Sequence, residues 1–296
     1  MKRLLIVGCG DVALRVVRLL HGRYRLFALS HTVRRHALLR DHGIVPLPGN
    51  LDDSATLSRL AGLPHDVLHF APPPNHGTLD SHTANLIRAL RRRRSIPQRL
   101  VYISSSGVYG DCRGELVDER SPLRPGSDRA RRRVDAERML RAWGRDSGTG
   151  VVILRVPGIY ADNRLPIERL RAGTPALAPM DDAYSNHVHA DDLARIVLAA
   201  LLRGRAGRAY NACDGSWLKM GDYFDLVAQS LGLPLPPRIS RQEAEKRVPQ
   251  PLLSFMRESR RLSNRRLRKE LRVRLRYPSV AEGLANASRL PLTPAV

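Results

Sequence analysis

Leu4-Leu5-Ile6-Val7 is an unbroken apolar run that ends at Gly8-Cys9-Gly10, the pattern of a buried strand entering a tight turn. From Asp11 the period changes: Val12, Val16, Leu19 and Leu20 fall on one face, with Arg15 and Arg18 between them, which predicts an amphipathic helix. The alternation then repeats. Arg25 to Leu29 reads as a strand closing at Ser30-His31-Thr32, and Ile44 to Leu47 as another, followed by Gly49-Asn50-Leu51-Asp52 and a helix from about Asp53 to Ala61. Asp66 to Ala71 is a strand stopped by Pro72-Pro73-Pro74. A helix over Asp80 to Arg93 and a strand over Leu100 to Ile103 complete the first half.

Strands alternating with helices imply an α/β fold with a doubly wound parallel sheet of the Rossmann type, whose ligands gather at the carboxyl ends of the strands. Those ends hold Gly8 and Gly10, Ser30, Asn50, Ala71-Pro72 and Ser104-Ser105-Ser106. Val151 to Arg155 is a sixth strand, and a helix from Asp191 to about Leu202 with a strand over Ala209 to Ala212 returns to the sheet. The expected division is a binding domain over residues 1–155, joined again by about 188–213, and a smaller, mostly helical lobe over 156–296. In that lobe Pro234 to Pro237 is a loop, while Arg241 to Arg247, Asn264 to Leu271 and Ser279 to Ala287 read as helical.

The glycine turn carries the first chemical signal. Gly8-x-Gly10-x-x-Ala13 between a strand and a helix matches a dinucleotide-binding turn, in which helix amides face a pyrophosphate. About twenty residues on, where a carboxylate would hold the ribose 2′-hydroxyl of NAD, no acid stands. Ser30 is followed instead by Arg34 and Arg35, donors suited to a 2′-phosphate. NADP is therefore the expected cofactor, with NAD the alternative.

Composition narrows the remaining classes. With 296 residues and 43% hydrophobic content the chain can bury a large core. It has no run of eighteen apolar residues, and its first strand is too soon broken by glycine for a signal peptide, so a cytoplasmic protein without membrane partners is expected. Cys9, Cys112 and Cys213 show neither disulfide nor zinc spacing. The net charge of +22 comes almost wholly from arginine, with lysine only at Lys2, Lys219, Lys246 and Lys269. Arginine clusters at Arg91 to Arg94, Arg131 to Arg133 and Arg260 to Arg276 lack the interleaved aromatics of a strand-binding groove. No specific nucleic-acid partner is expected; a homodimer is left open.

Beyond the fifth strand the chain resembles the NAD-dependent epimerase/dehydratase family, the extended branch of the short-chain dehydrogenases. The resemblance rests on Ser104-Ser105-Ser106-Gly107-Val108-Tyr109-Gly110-Asp111, Glu119-x-x-Pro122, Ala136-Glu137, Leu154-Arg155-Val156-Pro157-Gly158-Ile159-Tyr160, Asn186-His187-Val188-His189-Ala190-Asp191-Asp192 and Tyr210-Asn211-Ala212-Cys213-Asp214, all in the family's order. It implies that Ser105 hydrogen-bonds the substrate's reacting oxygen and that Pro157 packs beside the nicotinamide. With the strand ends, it nominates Gly8, Gly10, Asp11, Val12, Ala13, Ser30, Arg34, Asn50, Leu51, Ala71, Pro72, Ser104 and Pro157 for the cofactor.

The resemblance also exposes a departure. Where the family carries a tyrosine acid/base and a lysine four residues later, this chain has Arg129 and Arg133. Arginine stays protonated and cannot exchange the proton, although Arg133 can still contact ribose or phosphate. An active enzyme would then move the proton with Tyr109, Tyr160 or a water held by Ser105. Its substrate would be an unidentified small molecule such as a nucleotide sugar. The alternative is a catalytically silent NAD(P)-binding protein with a structural or sensing role. His187-x-His189-x-Asp191-Asp192 reads not as a metal site but as a strand feeding a helix, with Asp191 the cap and Asp192 a first-turn acid. The resemblance also puts Arg164 and Arg169 on a stretch that in the family faces substrate phosphates, although either one alone reads as a solvated helix charge.

Overall fold

A computed structural model describes residues 1–20, 22–92, 96–248, 253 and 256–287. In chain order come β1 (Lys2–Val7), α1 (Asp11–Leu19), β2 (Tyr24–Ser30), α2 (His36–Asp41), β3 (Ile44–Pro48), β4 (Asp66–His69), α3 (Ser81–Arg91), β5 (Arg99–Ser105), β6 (Leu116–Val117), α4 (Asp128–Ser147) and β7 (Gly150–Val156). There follow β8 (Gly158–Tyr160), α5 (Ile167–Arg171), β9 (Ala176–Leu177), β10 (Tyr184–Ser185), β11 (His187–His189), α6 (Ala190–Arg203), β12 (Ala209–Asn211), β13 (Leu218–Lys219), α7 (Met220–Ser230), β14 (Arg238–Ile239), α8 (Arg241–Arg247) and β15 (Arg261–Leu262). Short helices over Arg265–Glu270 and Val280–Ala287 close the described chain. Arg93 and Arg94, placed above in a helix end and a charge cluster, lie outside the described residues.

A central sheet runs β12-β7-β5-β4-β1-β2-β3, and each adjacent pair is parallel. Strand alternation splits β1 between two cores: Leu4 and Ile6 pack with Val12, Val16, Leu193 and Val197 of α1 and α6. Leu5 and Val7 pack with Leu86, Leu90, Leu140 and Trp143 of α3 and α4 on the opposite face. Both faces are thus covered by helices, and the order reverses between β1 and β4, where a crevice opens at the strand ends. Among the described residues, no helix is long and apolar enough to cross a membrane.

Three local readings change. The stretch after β3 is a 3₁₀ helix over Ser54–Leu60 rather than an α-helix, started by Asp53, whose side chain accepts from the Ala55 amide. The β4 ladder ends at His69 because the Phe70 and Ala71 amides turn onto the single Val7 carbonyl at 2.7 and 2.9 Å. Asp191 does not cap α6. That role falls to His189, whose Nδ1 accepts from the Asp191 amide at 3.2 Å, leaving the Asp191 carboxylate to Arg15 at 2.5 Å. Asp192, fully buried, accepts from the Arg276 and Tyr277 amides at 2.8 and 2.7 Å and so anchors the C-terminal segment.

Candidate functional site

Gly8, at the end of β1, lies at φ +87°, and a Cβ there would come within 2.5 Å of the Ala71 nitrogen. A left-handed backbone and a close neighbour both demand glycine. Gly10 is different: its φ is −93° and a Cβ would meet nothing within 4 Å. It faces a cavity of about 510 Å³. As N-cap of α1 it offers no side chain, so the first-turn amides lack intrahelical acceptors. An open cradle against uncapped helix amides fits a dinucleotide's diphosphate.

Gly8, Gly10, Asp11, Val12, Ala13, Ser30, Pro72, Ser104 and Pro157, all nominated from the sequence, border this cavity. Four nominated residues do not. Arg34 projects from the 3₁₀ turn Val33–Arg35 into solvent, and Arg35 takes the wall in its place, its Nη2 donating to the Cys9 carbonyl at 2.7 Å. Asn50 is exposed and turns its Oδ1 back to the Asp52 amide at 3.1 Å. Leu51 packs into the core with Leu57 and Leu86, and Ala71 is buried against Gly8. Arg164, read above as a solvated charge, joins the wall instead and pairs with Asp11 at 3.3 Å.

A second cavity, of about 450 Å³, adjoins the first. Ser105, Arg133 and Pro157 stand on the walls of both. Ser105 caps the 3₁₀ turn that follows β5, its Oγ accepting from the Gly107 amide at 3.1 Å, which aims the hydroxyl along the strand end. Arg133 is fixed by donation to the Tyr102 hydroxyl at 3.0 Å and the Ile103 carbonyl at 2.8 Å. Arg129, one helical turn earlier on the same face of α4, borders the second cavity. Burial lowers its pKa, with Glu258 opposing that shift.

The rest of the second cavity comes from scattered segments. His187 stacks on Tyr223 with ring centres 4.2 Å apart, and burial holds its imidazole down at about 4. Arg169 lies 4.0 Å over Phe224, and burial lowers its guanidinium to about 10, so it is a cavity group and not a freely solvated charge. Arg260 pairs with Glu258 at 2.8 Å. Neither His187 nor Arg260 was nominated from the sequence. The only signal for His187 was the histidine pair in its block, which points as readily to a strand.

Two nominated proton carriers are placed elsewhere. Tyr109 is fully buried, donates to Asn211 at 2.7 Å and accepts from Arg155 at 2.9 Å. Burial pushes its phenol up to about 12 although Arg155 opposes that shift. Tyr160 is 1% exposed, donates to the Ser279 carbonyl at 3.1 Å, and is raised by burial. Neither is on the wall of either cavity. Tyr109 instead belongs to a buried polar cluster in which Glu137 receives Arg155 at 2.8 Å and Ser104 at 2.7 Å. No group of three or more metal-ligating side chains gathers among the described residues.

A Rossmann-type crevice with a glycine turn, opening past a strand-five serine onto a cavity lined by C-terminal segments, defines an extended short-chain dehydrogenase architecture. The chain belongs to the NAD dependent epimerase/dehydratase family, which it matches over residues 10–213. It is similar to dTDP-glucose 4,6-dehydratase of Mycobacterium tuberculosis, 29% identical over 210 residues, a match covering 62% of either chain and so under two thirds of that enzyme's length. It is also similar to GDP-6-deoxy-D-mannose reductase of Pseudomonas aeruginosa, 27% identical over 266 residues, 82% of this chain and 86% of that one. A dTDP-glucose 4,6-dehydratase from Streptomyces venezuelae, solved as a double mutant with NAD bound, shares the fold at a TM-score of 0.77 and 24% identity, covering 97% of this chain and 96% of that one.

Proposed function

We propose that this chain is an NADP-dependent enzyme of the oxidoreductase or epimerase/dehydratase kind, with NAD the alternative cofactor, acting on an anionic small molecule of the nucleotide-sugar class. The observation that carries this reading is the shared wall: Ser105, Arg133 and Pro157 border both cavities, so a cofactor in one and a substrate in the other meet at Ser105. The amides of α1 and the cradle at Gly10 would hold the diphosphate, and Arg35 a 2′-phosphate. A bound nicotinamide supplies hydride transfer. Arg133 keeps the cationic position beside it, and Ser105 donates to the substrate's reacting oxygen. Arg129, Arg169 and Arg260 make the substrate cavity cationic, which supports a phosphorylated substrate. With Tyr109 and Tyr160 withdrawn, a water held at Ser105 is the proton carrier that remains of those weighed.

Arg129 favours the second reading, a cofactor-binding protein without turnover, because a guanidinium cannot cycle a proton. One experiment separates the two. NADPH and NADH are titrated by fluorescence, and the loaded protein is assayed against a panel of nucleotide sugars. Binding with turnover is expected. Binding without turnover selects the silent reading, and failure to bind either dinucleotide overturns both.

A further inference from the structure

A third cavity, of about 640 Å³, shares no wall residue with the other two. Its wall carries Arg265, Arg268, Lys269, Arg272 and Arg274. All five are exposed, and among the described residues their side chains make neither ion pairs nor hydrogen bonds. Elsewhere in the chain Arg15, Arg155 and Arg238 are each paired with a carboxylate. The single acid on the wall is Asp214. It is 2% exposed and already takes the Ser216 amide and hydroxyl at 2.9 and 2.6 Å. Burial holds its carboxyl up at about 7, so at neutral pH this one group offsets at most part of a single charge out of five.

Five uncompensated cations converging on a concavity focus a positive potential there and call for a ligand dense in negative charge. Guanidinium forks match phosphate oxygens in geometry as well as charge. A single open concavity of about 640 Å³ suits a compact anion, whereas a duplex backbone needs an extended stripe of contacts. The pocket also has an aromatic flank: Trp217 is 45% exposed and is held by donation from its Nε1 to the Leu262 carbonyl at 3.1 Å. We infer that this cavity is a second ligand site, distinct from the cofactor crevice, for a small polyphosphate anion, whether inorganic or the phosphate chain of a nucleotide.

The site adjoins the substrate cavity through one strand. Asn186, on the substrate-cavity wall, accepts from the Leu262 amide at 2.7 Å and donates to the Arg260 carbonyl at 2.9 Å. An anion bound among the arginines therefore abuts the chain segment that carries Arg260.

The test is a titration of the full chain with inorganic tripolyphosphate at constant ionic strength, followed by calorimetry and tryptophan fluorescence. Trp217 reports on the site, since the other tryptophan, Trp143, is 1% exposed. Saturable binding with a fluorescence change is expected. It should survive Gly10→Val and weaken about 30-fold or more in Arg268→Ala/Arg272→Ala, roughly 2 kcal/mol. If that pair fails to fold, Arg268→Gln/Lys269→Gln serves instead. ATP binding no tighter than tripolyphosphate identifies the phosphate chain alone as ligand. Tighter ATP binding that Trp217→Leu removes identifies a nucleotide. Unchanged affinity in the arginine variants, loss of binding in Gly10→Val, or stronger competition from a short DNA duplex at equal phosphate concentration overturns the site.

Discussion

The crevice at Gly10 and the cavity beyond Ser105 are neighbours built from different material. The first is made chiefly of backbone: a glycine turn, uncapped helix amides and the ends of adjacent strands. The second is made of side chains from α4, β11, α7 and the segment around Arg260, far apart in sequence. A backbone site needs particular residues only where a side chain would intrude, so its record is a short local motif. A side-chain site is assembled by topology, and its residues carry no mutual spacing.

The contrast is sharpest at the two glycines. Gly8→Val should cost about 3 kcal/mol or more of unfolding free energy in urea, because the new Cβ meets the chain after β4 at a left-handed position. Gly10→Val should cost no more than about 1 kcal/mol, the value of an N-cap preference, and yet abolish dinucleotide binding by calorimetry, since its Cβ enters only open space. Equal effects at the two positions would merge their roles.

At the crevice rim, Arg35→Ala should weaken NADP by about 10-fold or more, the value of a charge-assisted contact, and NAD far less. Arg34→Ala should change neither. Equal losses for both dinucleotides in Arg35→Ala would move the 2′-phosphate contact elsewhere.

The remaining effects concern pH. His187 titrates at about 4 when folded, against 6.5 for a free imidazole, so between those values the unfolded chain binds the extra proton. Its contribution is whole above pH 6.5 and is lost as pH falls toward 4, at no more than about 1.4 kcal/mol per pH unit. His69, held at about 3 by burial, acts in the same direction. Asp214 works in reverse. Its carboxyl, raised to about 7 from 3.8, keeps a proton in the folded chain that the unfolded chain has released. Its contribution is therefore whole below about pH 3.8, is lost as pH rises toward 7, and changes no further above that. Between about pH 4 and 7 the two groups oppose each other, so His187→Phe should flatten the rise of a urea-midpoint profile with pH and Asp214→Asn should steepen it; a profile unchanged by either would remove that group from the titration.

The parallel, doubly wound sheet was legible because strands such as β1 and β7 are largely apolar runs closed by glycine or proline and alternate with helical stretches; the strand order itself comes only from the fold. Helix α4 was not read as a helix at all. Its buried stripe of Ala130, Val134, Ala136, Leu140 and Trp143 is interrupted by Arg132 and Glu137, which are buried too, so no clean polar-apolar period survives. Arg34 was preferred to Arg35 because spacing locates a turn without telling which of two adjacent side chains faces inward. Tyr109 and Tyr160 were weighed as proton carriers because a sequence shows a phenol but not its partners. Only the fold reveals that Asn211, Arg155 and Ser279 already hold them.

Glu137 lies one turn beyond Arg133 on α4 and is locked between Arg155 and Ser104. That lock keys the roll of the whole helix about its axis. Arg133 thus faces the junction of the cavities and Arg129 the second cavity by a roll that their own side chains do not set. The facing of Arg129 and Arg133 is set by a residue on the wall of neither cavity, so exchanging either guanidinium should change what the cavities meet without turning the helix.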